Sequence, residues 1–337
     1  MLVSVSISAY NEENYLPAIF ESLVHQTYPH KQIEIVLINA MSTDGTRRLM
    51  NEFQENYQHE FYAIKIFDNP KKTLNTGLNL GFKHSDGDCY LKIDAHSHIP
   101  ENFIESNVAV IQTGERVCGG RRPTIVETDD ELAKTLHIVE ESALGSSIAN
   151  YRKGDESRYV DSVFQGMYHK DVIDKVGYFD EKLVRTEDNE FHYRIRKNGF
   201  KIWYDTSIES FQYIRPTYSK MLKQKYGNGY WIGLTSHVCR ECLSLFHFVP
   251  GIFVSTLLAT ILVAGVSALP FFLLVSVYLL AIIGLSIFEI STHPFHITRL
   301  LIPAMMISVH FSYGIGTIRG WIEGFWWKKM YDSINEE

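Results

Sequence analysis

Several short polar stretches carry the residue types that chemistry needs. Asp94 and His96 stand two positions apart, straight after the apolar run CYLKI (89–93). A carboxylate and an imidazole so placed in a turn can share a divalent cation, and that cation can bridge to a bound diphosphate. The same spacing also fits an Asx turn with no ligand. Glu187 and Asp188 open a helical pattern that runs to Asn198 and is ended by Gly199. A carboxylate there can take a proton from a substrate, or be a first-turn acid favoured by the helix dipole. Ala9-Tyr10-Asn11-Glu12 and the stretch from Asn39 to Gly45 follow two further apolar runs. Arg215 and KQKYGNGYW (223–231) add cationic and amide groups. There is no GxGxxG and no GxxxxGK[ST], so neither a dinucleotide fold nor a P-loop is supported.

The elements that must position these residues read from hydrophobic periodicity. Val3, Val5 and Ile7 alternate with serines as a strand, and Asn11 is placed to cap a helix over about 12–26. IEIVLIN (33–39) suits a buried parallel strand, and STDGT leads into a helix carrying Leu49, Met50 and Phe53. A strand near 62–67, a helix opening at Thr73 and the strand CYLKI complete four alternations of strand and helix. That pattern predicts a mostly parallel α/β sheet. Beyond it, a helix near 101–113, a strand near 116–120, an acidic amphipathic stretch over 129–149 and a strand over 163–169 are expected.

Charge is distributed unevenly along the 337 residues. The net charge is −7, with 32 basic and 39 acidic residues, and no basic surplus exists to grip a nucleic-acid backbone. From Leu243 to Phe288 there is no Asp, Glu, Lys or Arg at all. A water-soluble helix needs a polar face, so this block predicts membrane spans over 248–266 and 271–288. The stretch 300–318 is a weaker third span, because it holds Pro303, His310 and several small residues. Three full spans would set Lys328 and Lys329 opposite the N-terminus; two spans and a re-entrant or interfacial third segment would not. The N-terminus has no basic segment followed by an apolar core, so the first region is expected to stay in the cytoplasm. Four cysteines suit a reducing compartment, and Cys239 and Cys242 read as small apolar residues entering the membrane region.

Taken in order, SVSISAYNEENYL, INAMSTDGT, NPKKTLNTGLNLGFKHSDGDCYLKIDAHSHIP, VCGGRRPT, VDSVFQGMYHKDVIDKVGYFDEKLVRTEDNEFHYRIRKNG and Gln224–Trp231 form a recognisable series. It resembles the inverting family 2 glycosyltransferases, and within them the membrane-anchored succinoglycan-biosynthesis glucosyltransferase type. The resemblance implies a GT-A fold, a Rossmann-like mixed α/β sheet that binds a nucleotide diphosphate sugar, over 1–235. A membrane region of two or three spanning or re-entrant helices follows over 236–337.

The resemblance also implies roles. Ala9, Tyr10, Asn11 and Glu12 line the nucleoside, and Lys72 approaches the base or phosphate. Asn39 stands where the family has an acid that accepts from uracil N3–H; its side-chain carbonyl can still accept that bond. Asp94 reaches the ribose and, with His96, a Mg²⁺ or Mn²⁺ ion, manganese suiting the imidazole better. Asp188 is the base, with Glu187 as its neighbour, while Arg215 and Gln224 lie near the diphosphate and the acceptor. The chain reads QKYGNGYW where processive synthases have Gln-x-x-Arg-Trp, which argues for adding a single sugar. The implied partners are a nucleotide-sugar donor, a saccharide linked to a polyprenyl diphosphate, and membrane lipid. The activity implied is transfer of a hexose, glucose favoured, from a UDP-linked donor in extracellular or capsular polysaccharide synthesis. A multi-pass membrane protein with its catalytic part in the cytoplasm follows. Transfer to a polyprenyl phosphate itself, or a non-catalytic scaffold, are the competing readings. The sequence says nothing of oligomeric state.

Overall fold

The computed structural model describes residues 1–126, 128–145, 154–214 and 217–333. In chain order the elements are β1 (Val3–Ala9), α1 (Leu16–Val24), β2 (Ile33–Asn39), α2 (Thr46–Tyr57), β3 (Ala63–Asp68), α3 (Leu74–Lys83), β4 (Cys89–Lys92), β5 (Ser97–His98), α4 (Phe103–Gln112) and β6 (Val117–Arg121). Next come β7 (Thr124–Ile125), α5 (Glu131–Glu141), β8 (Arg158–Val160), β9 (Phe164–His169), α6 (Lys170–Val176), α7 (Glu187–Lys197), β10 (Ile202–Glu209) and β11 (Phe211–Tyr213). The last are α8 (Tyr218–Thr235), α9 (Val249–Val263), α10 (Leu269–Thr292) and α11 (Ile302–Ser333). They group into two compact units, Met1–Pro123 with Ala149–Tyr213, and Thr124–Ile148 with Ile214–Glu337.

Among the described residues of the first unit, eight strands form one sheet in the order β3-β2-β1-β4-β9-β6-β10-β8. The first four strands are parallel, as their alternation with helices predicts. Strand β9 then runs antiparallel to both β4 and β6, so the sheet is mixed. The run IEIVLIN is buried along its whole length, as a central strand covered on both faces must be. The serines that alternate along β1 have a packing reason. Ser6 and Ser8 face Gly81 and Gly77 of α3, where a Cβ would meet their hydroxyls, so the small residues let the helix close onto the strand. The other face of β1 packs Val3, Val5 and Ile7 against Leu16, Ile19 and Leu23 of α1. One expectation fails. Asn11 does not cap a helix: α1 starts at Leu16 behind Tyr15, and Asn11 adopts a left-handed backbone with φ 54°. Its side chain is spent instead on the next loop, as described below.

The second unit holds α5 and α8 together with the apolar helices. Among the described residues, three helical segments, Leu245–Val263, Leu269–Thr292 and Ile297–Ser333, are long and apolar enough to cross a membrane. The third differs from the stretch read from sequence, because α11 continues unbroken past Arg319 and Glu323. Its small residues are explained by α8, which lies alongside it in parallel. A Cβ at Gly229 or Gly233 of α8 would collide with the Tyr313 or Thr317 carbonyl, and one at Gly316 or Gly320 with that of Tyr226 or Tyr230. Glycines thus bring two backbones into direct contact, the usual device of tightly packed apolar helices. Tyr230 donates to Glu323 at 2.5 Å and Arg319 donates to the Tyr226 hydroxyl at 3.0 Å, so Arg319 and Glu323 of α11 each find a partner on α8. Replacing Gly320 by Val should cost about 1–3 kcal/mol through overpacking, read as a lower unfolding temperature of the detergent-solubilised protein. Gly265→Ala, at a position with open space around it, should leave that temperature unchanged.

Candidate active site

Backbone strain marks the place before any side chain does. Among the described residues, the non-glycine positions with positive φ are Asn11, Met41, Lys72, Gln165 and Thr186. Asn11, Met41 and Lys72 follow β1, β2 and β3, Gln165 lies in β9, and Thr186 immediately precedes α7. Residues held in that region cost on the order of 1–3 kcal/mol each and collect where function requires them. The carboxyl ends of parallel strands are also where an open α/β sheet binds its ligands.

The first two loops are stitched together by the predicted nucleoside residues. Asn11 accepts from the Thr43 backbone N–H at 2.8 Å, while its own N–H donates to Ser42 Oγ at 3.1 Å. The Glu12 N–H donates to Thr46 Oγ1 at 2.8 Å. Asp44 accepts from the backbone N–H groups of Thr46 and Glu13, which makes it a turn-stabilising residue. Ala9 is buried at the strand end, while Tyr10 and Lys72 are exposed. Asn39 is engaged on both sides: Oδ1 accepts from the Ser42 N–H at 3.0 Å, and Nδ2 donates to Asp68 Oδ1 at 2.8 Å. Asp68, which Arg47 also holds at 2.9 Å, therefore sets a carboxylate one strand over from the position where the family resemblance expects one.

Asp94 and His96 converge just past β4. Gln212 Nε2 on β11 lies 3.5 Å from Asp94 Oδ2 and 3.1 Å from His96 Nε2. His96 Nδ1 is 3.3 Å from Glu12 Oε1. A carboxylate only accepts, so Nδ1 carries the proton and Nε2 keeps its lone pair, receiving the Gln212 N–H. One amide hydrogen donor thus occupies the point that an anionic oxygen and a neutral imidazole nitrogen both face. Among the described residues no set of three His, Cys, Asp or Glu side chains gathers to hold a metal. The pair fits an ion that takes its remaining ligands from a diphosphate rather than one caged by protein. Arg122 donates to the Gln212 carbonyl and stacks on Phe164 with 4.0 Å to the ring centroid, which fixes the amide's orientation.

Deeper on the same strand stands Lys92, whose side chain is 2% exposed. Its ammonium donates to both oxygens of Asp188, at 2.8 and 3.0 Å, and lies 3.6 Å from Glu187 Oε1. Burial alone would make this lysine easier to deprotonate, but the charges of Asp188 and Glu187 outweigh it and hold the group cationic. Both acids lie in the first turn of α7 behind the left-handed Thr186. Burial, reinforced by the Asp188 charge, raises the Glu187 pKa to about 7. One turn on, His192 Nδ1 lies 2.8 Å from Ser162 Oγ and Nε2 lies 2.9 Å from the Tyr168 hydroxyl; burial depresses its pKa to about 4, so the neutral ring donates through one nitrogen, accepts at the other and acts as a brace.

The strand ends thus carry a carboxylate–imidazole pair with a helix-borne acid beside them, and comparison with known proteins shows the family. The model of glycosyl transferase family 2 matches residues 4–177. The chain belongs to glycosyl transferase family 2. A dolichyl N-acetyl-alpha-D-glucosaminyl phosphate 3-beta-D-2,3-diacetamido-2,3-dideoxy-beta-D-glucuronosyltransferase of Methanococcus voltae is 27% identical, covering 96% of this chain and 98% of the relative. The succinoglycan biosynthesis protein ExoA of Rhizobium meliloti is 24% identical over 67% of each chain. Among solved structures, the mannosyltransferase PcManGT of Pyrobaculum calidifontis, in complex with GDP-Man and Mn²⁺, aligns with a TM-score of 0.63. It covers 94% of this chain and 86% of its own at 13% identity, a likeness of fold.

As a family 2 glycosyltransferase, the protein takes sugar from a nucleotide-sugar donor in glycan synthesis. Its first unit brings together Ala9, Asn11, Glu12, Asn39, Asp94, His96, Glu187 and Asp188 at or next to the strand ends. Gln224 lies on α8 in the second unit, and Arg215 lies outside the described residues. Two residues of this site escape sequence reasoning. Lys92 is hidden inside an apolar run, and Gln212 sits in a short strand 118 positions from Asp94. A lysine within a strand otherwise buried was the one available signal for Lys92.

A pH dependence follows from Glu187. The unfolded residue ionises near its ordinary 4.5 and the folded one near 7. Between those values the folded state holds the extra proton, so stability falls as pH rises through this window, by up to about 3 kcal/mol. Glu187→Gln should flatten that decline in thermal unfolding measured from pH 4.5 to 8; an unchanged slope would contradict the assignment.

Proposed function

We propose that this enzyme is an inverting hexosyltransferase that uses a UDP-linked sugar, glucose by resemblance to the succinoglycan type. Its acceptor is a saccharide carried on a polyprenyl diphosphate-type lipid, and its product feeds extracellular or capsular polysaccharide synthesis. The observation that carries the reading is Asp188: a carboxylate at a helix N-terminus, 20% exposed, with an ammonium behind it. In the reaction the Asp188 carboxylate takes the proton of an acceptor hydroxyl while that oxygen bonds to the anomeric carbon. The bond from that carbon to the diphosphate breaks, and its electron pair leaves with the nucleotide. A single displacement inverts the centre, so an α-linked donor gives a β-linked product.

Ala9, Tyr10, Asn11, Glu12, Asn39 and Lys72 hold the nucleoside, with Asp94 at the ribose. Asp94 and His96 would hold Mg²⁺ or Mn²⁺, which neutralises diphosphate charge when bound. Gln224 and Arg215 serve the diphosphate and acceptor. Residues 1–235 act as the catalytic region facing the cytoplasm, and 236–337 as a multi-pass anchor. The apolar helices support a lipid-borne acceptor, as does the Methanococcus voltae relative, which is named for a dolichyl-linked sugar phosphate.

The test is transfer of radiolabel from a panel of nucleotide sugars into a lipid extract, with and without EDTA. Label should appear in lipid-linked saccharide from a UDP-sugar and vanish with EDTA. Asp188→Asn should lose at least about a hundredfold in transfer while still binding UDP. Near wild-type transfer by that variant, or label on polyprenyl phosphate alone, would overturn the proposal.

A further inference from the structure

We infer that Lys92 is a positioning residue for the transfer reaction: its ammonium fixes the plane of the Asp188 carboxylate and supplies the counter-charge that lets Asp188 and Glu187 share one buried site. The inference rests on the reading of Asp188 as the base. Lys92 ends β4, a strand hydrogen-bonded on both sides by β1 and β9, so its backbone cannot drift. Its Nζ reaches both Asp188 oxygens and lies 5.8 Å from the centroid of the Phe179 ring. A cation that grips both oxygens of a carboxylate removes the rotation about its terminal torsion, which is otherwise broad. The approach is from the buried side. Lys92 is 2% exposed and Asp188 20%, so the solvent-facing lone pairs of Asp188 stay available to an acceptor hydroxyl.

The charge count gives the second role. Two adjacent carboxylates in a desolvated site cannot both ionise without a counter-ion, and the pair then shares a proton. Among the described residues, the groups recorded as acting on the Lys92–Asp188 pair include Glu187 and His192 on the same helix as Asp188, Tyr168 from β9 and Asp94 beyond β4. Lys92 is the cation that touches both Asp188 oxygens and lies 3.6 Å from Glu187. Tyr168 is fully buried with its hydroxyl on neutral His192, and cannot substitute. With Lys92 in place, both Asp188 oxygens and the Glu187 carboxyl have a cation on their buried side. Without it, the two acids stand together in a desolvated site with no counter-charge there.

The test compares Lys92→Met with Lys92→Met/Glu187→Gln in the full-length, detergent-solubilised protein. It uses the UDP-sugar that gives label transfer in the panel assay, and UDP with Mn²⁺ as a binding probe. Lys92→Met should lower kcat at pH 7 by about a hundredfold with KM for the donor within about threefold, and move the acidic limb of the kcat profile up by at least about one pH unit. Removing the second acid should then move the limb back and recover at least about tenfold in kcat, because the like charge is gone. Thermal unfolding against pH gives a reading free of activity: Lys92→Met should lose stability more steeply from pH 5 to 8 than the double variant. If the single variant does not fold, a double variant that folds and binds UDP supports the inference, and one that does not fold overturns it. A folded Lys92→Met with the wild-type limb and kcat also overturns it, as does a double variant no better than the single. If Asp188→Asn is inactive while Lys92→Met behaves as wild type, only this inference falls; if Asp188→Asn is active, the reading of the base falls first.

Discussion

The interaction on which the rest of the first unit depends is the buried contact between Lys92 and the two acids of α7. Burying an ammonium and a carboxylate costs several kcal/mol per ion after relaxation, and only close geometry recovers it. The ammonium meets both Asp188 oxygens within 3.0 Å, so the geometry is close. Holding it requires a strand that does not shift, which β4 supplies between a parallel and an antiparallel neighbour. It also requires a helix whose N-terminus arrives at that strand, and α7 is secured by Phe191 and Ile195, which are buried in an apolar cluster with Tyr90, Tyr168 and Phe179, and by His192 braced between Ser162 and Tyr168. The antiparallel insertion of β9 therefore matters to this contact, because it brings Tyr168 and the walls of this cluster beside β4.

Around that contact, the loops at the strand ends are rigid by construction. Asn11, Ser42, Thr43 and Thr46 exchange hydrogen bonds between the β1 and β2 loops, and positive φ values occur at the residues where each chain turns away. Such strain persists only when neighbours over-determine it. The tautomer of His96 follows from the same logic: Glu12 on the first loop takes the Nδ1 proton, which leaves Nε2 to accept from the Gln212 amide that Asp94 also faces. If these loops hold the nucleotide sugar as proposed, it meets groups already aimed, and little of its binding energy is spent ordering them.

Much of this was legible in the sequence, and the parts that were not share a cause. Runs such as IEIVLIN, the Thr73 cap and the Gly199 stop depend on neighbours a few residues away, so periodicity finds them. Asp94, His96, Glu187 and Asp188 were readable because motif order ties them together. Lys92 was not, since its partner lies 96 positions on and the one local signal, a lysine inside an apolar run, does not say which acid it meets. Gln212 has the same difficulty. Asn11 misled for a related reason: an Asn ahead of an apolar helix looks like a cap until the loop that claims its side chain is in place. The weak third apolar stretch also became intelligible only once α8 was seen against Gly316 and Gly320, because glycines that weaken a span in isolation are what a packed partner requires.

The central claim of the account is a single in-line displacement with Asp188 as the base. The stereochemistry of the product reports on it most directly. With an α-linked UDP-sugar as donor, proton NMR of the isolated product should show a β-configured new linkage, because one displacement inverts the anomeric carbon. An α-linked product would mean retention, and would contradict the assignment of Asp188 and the site built around it.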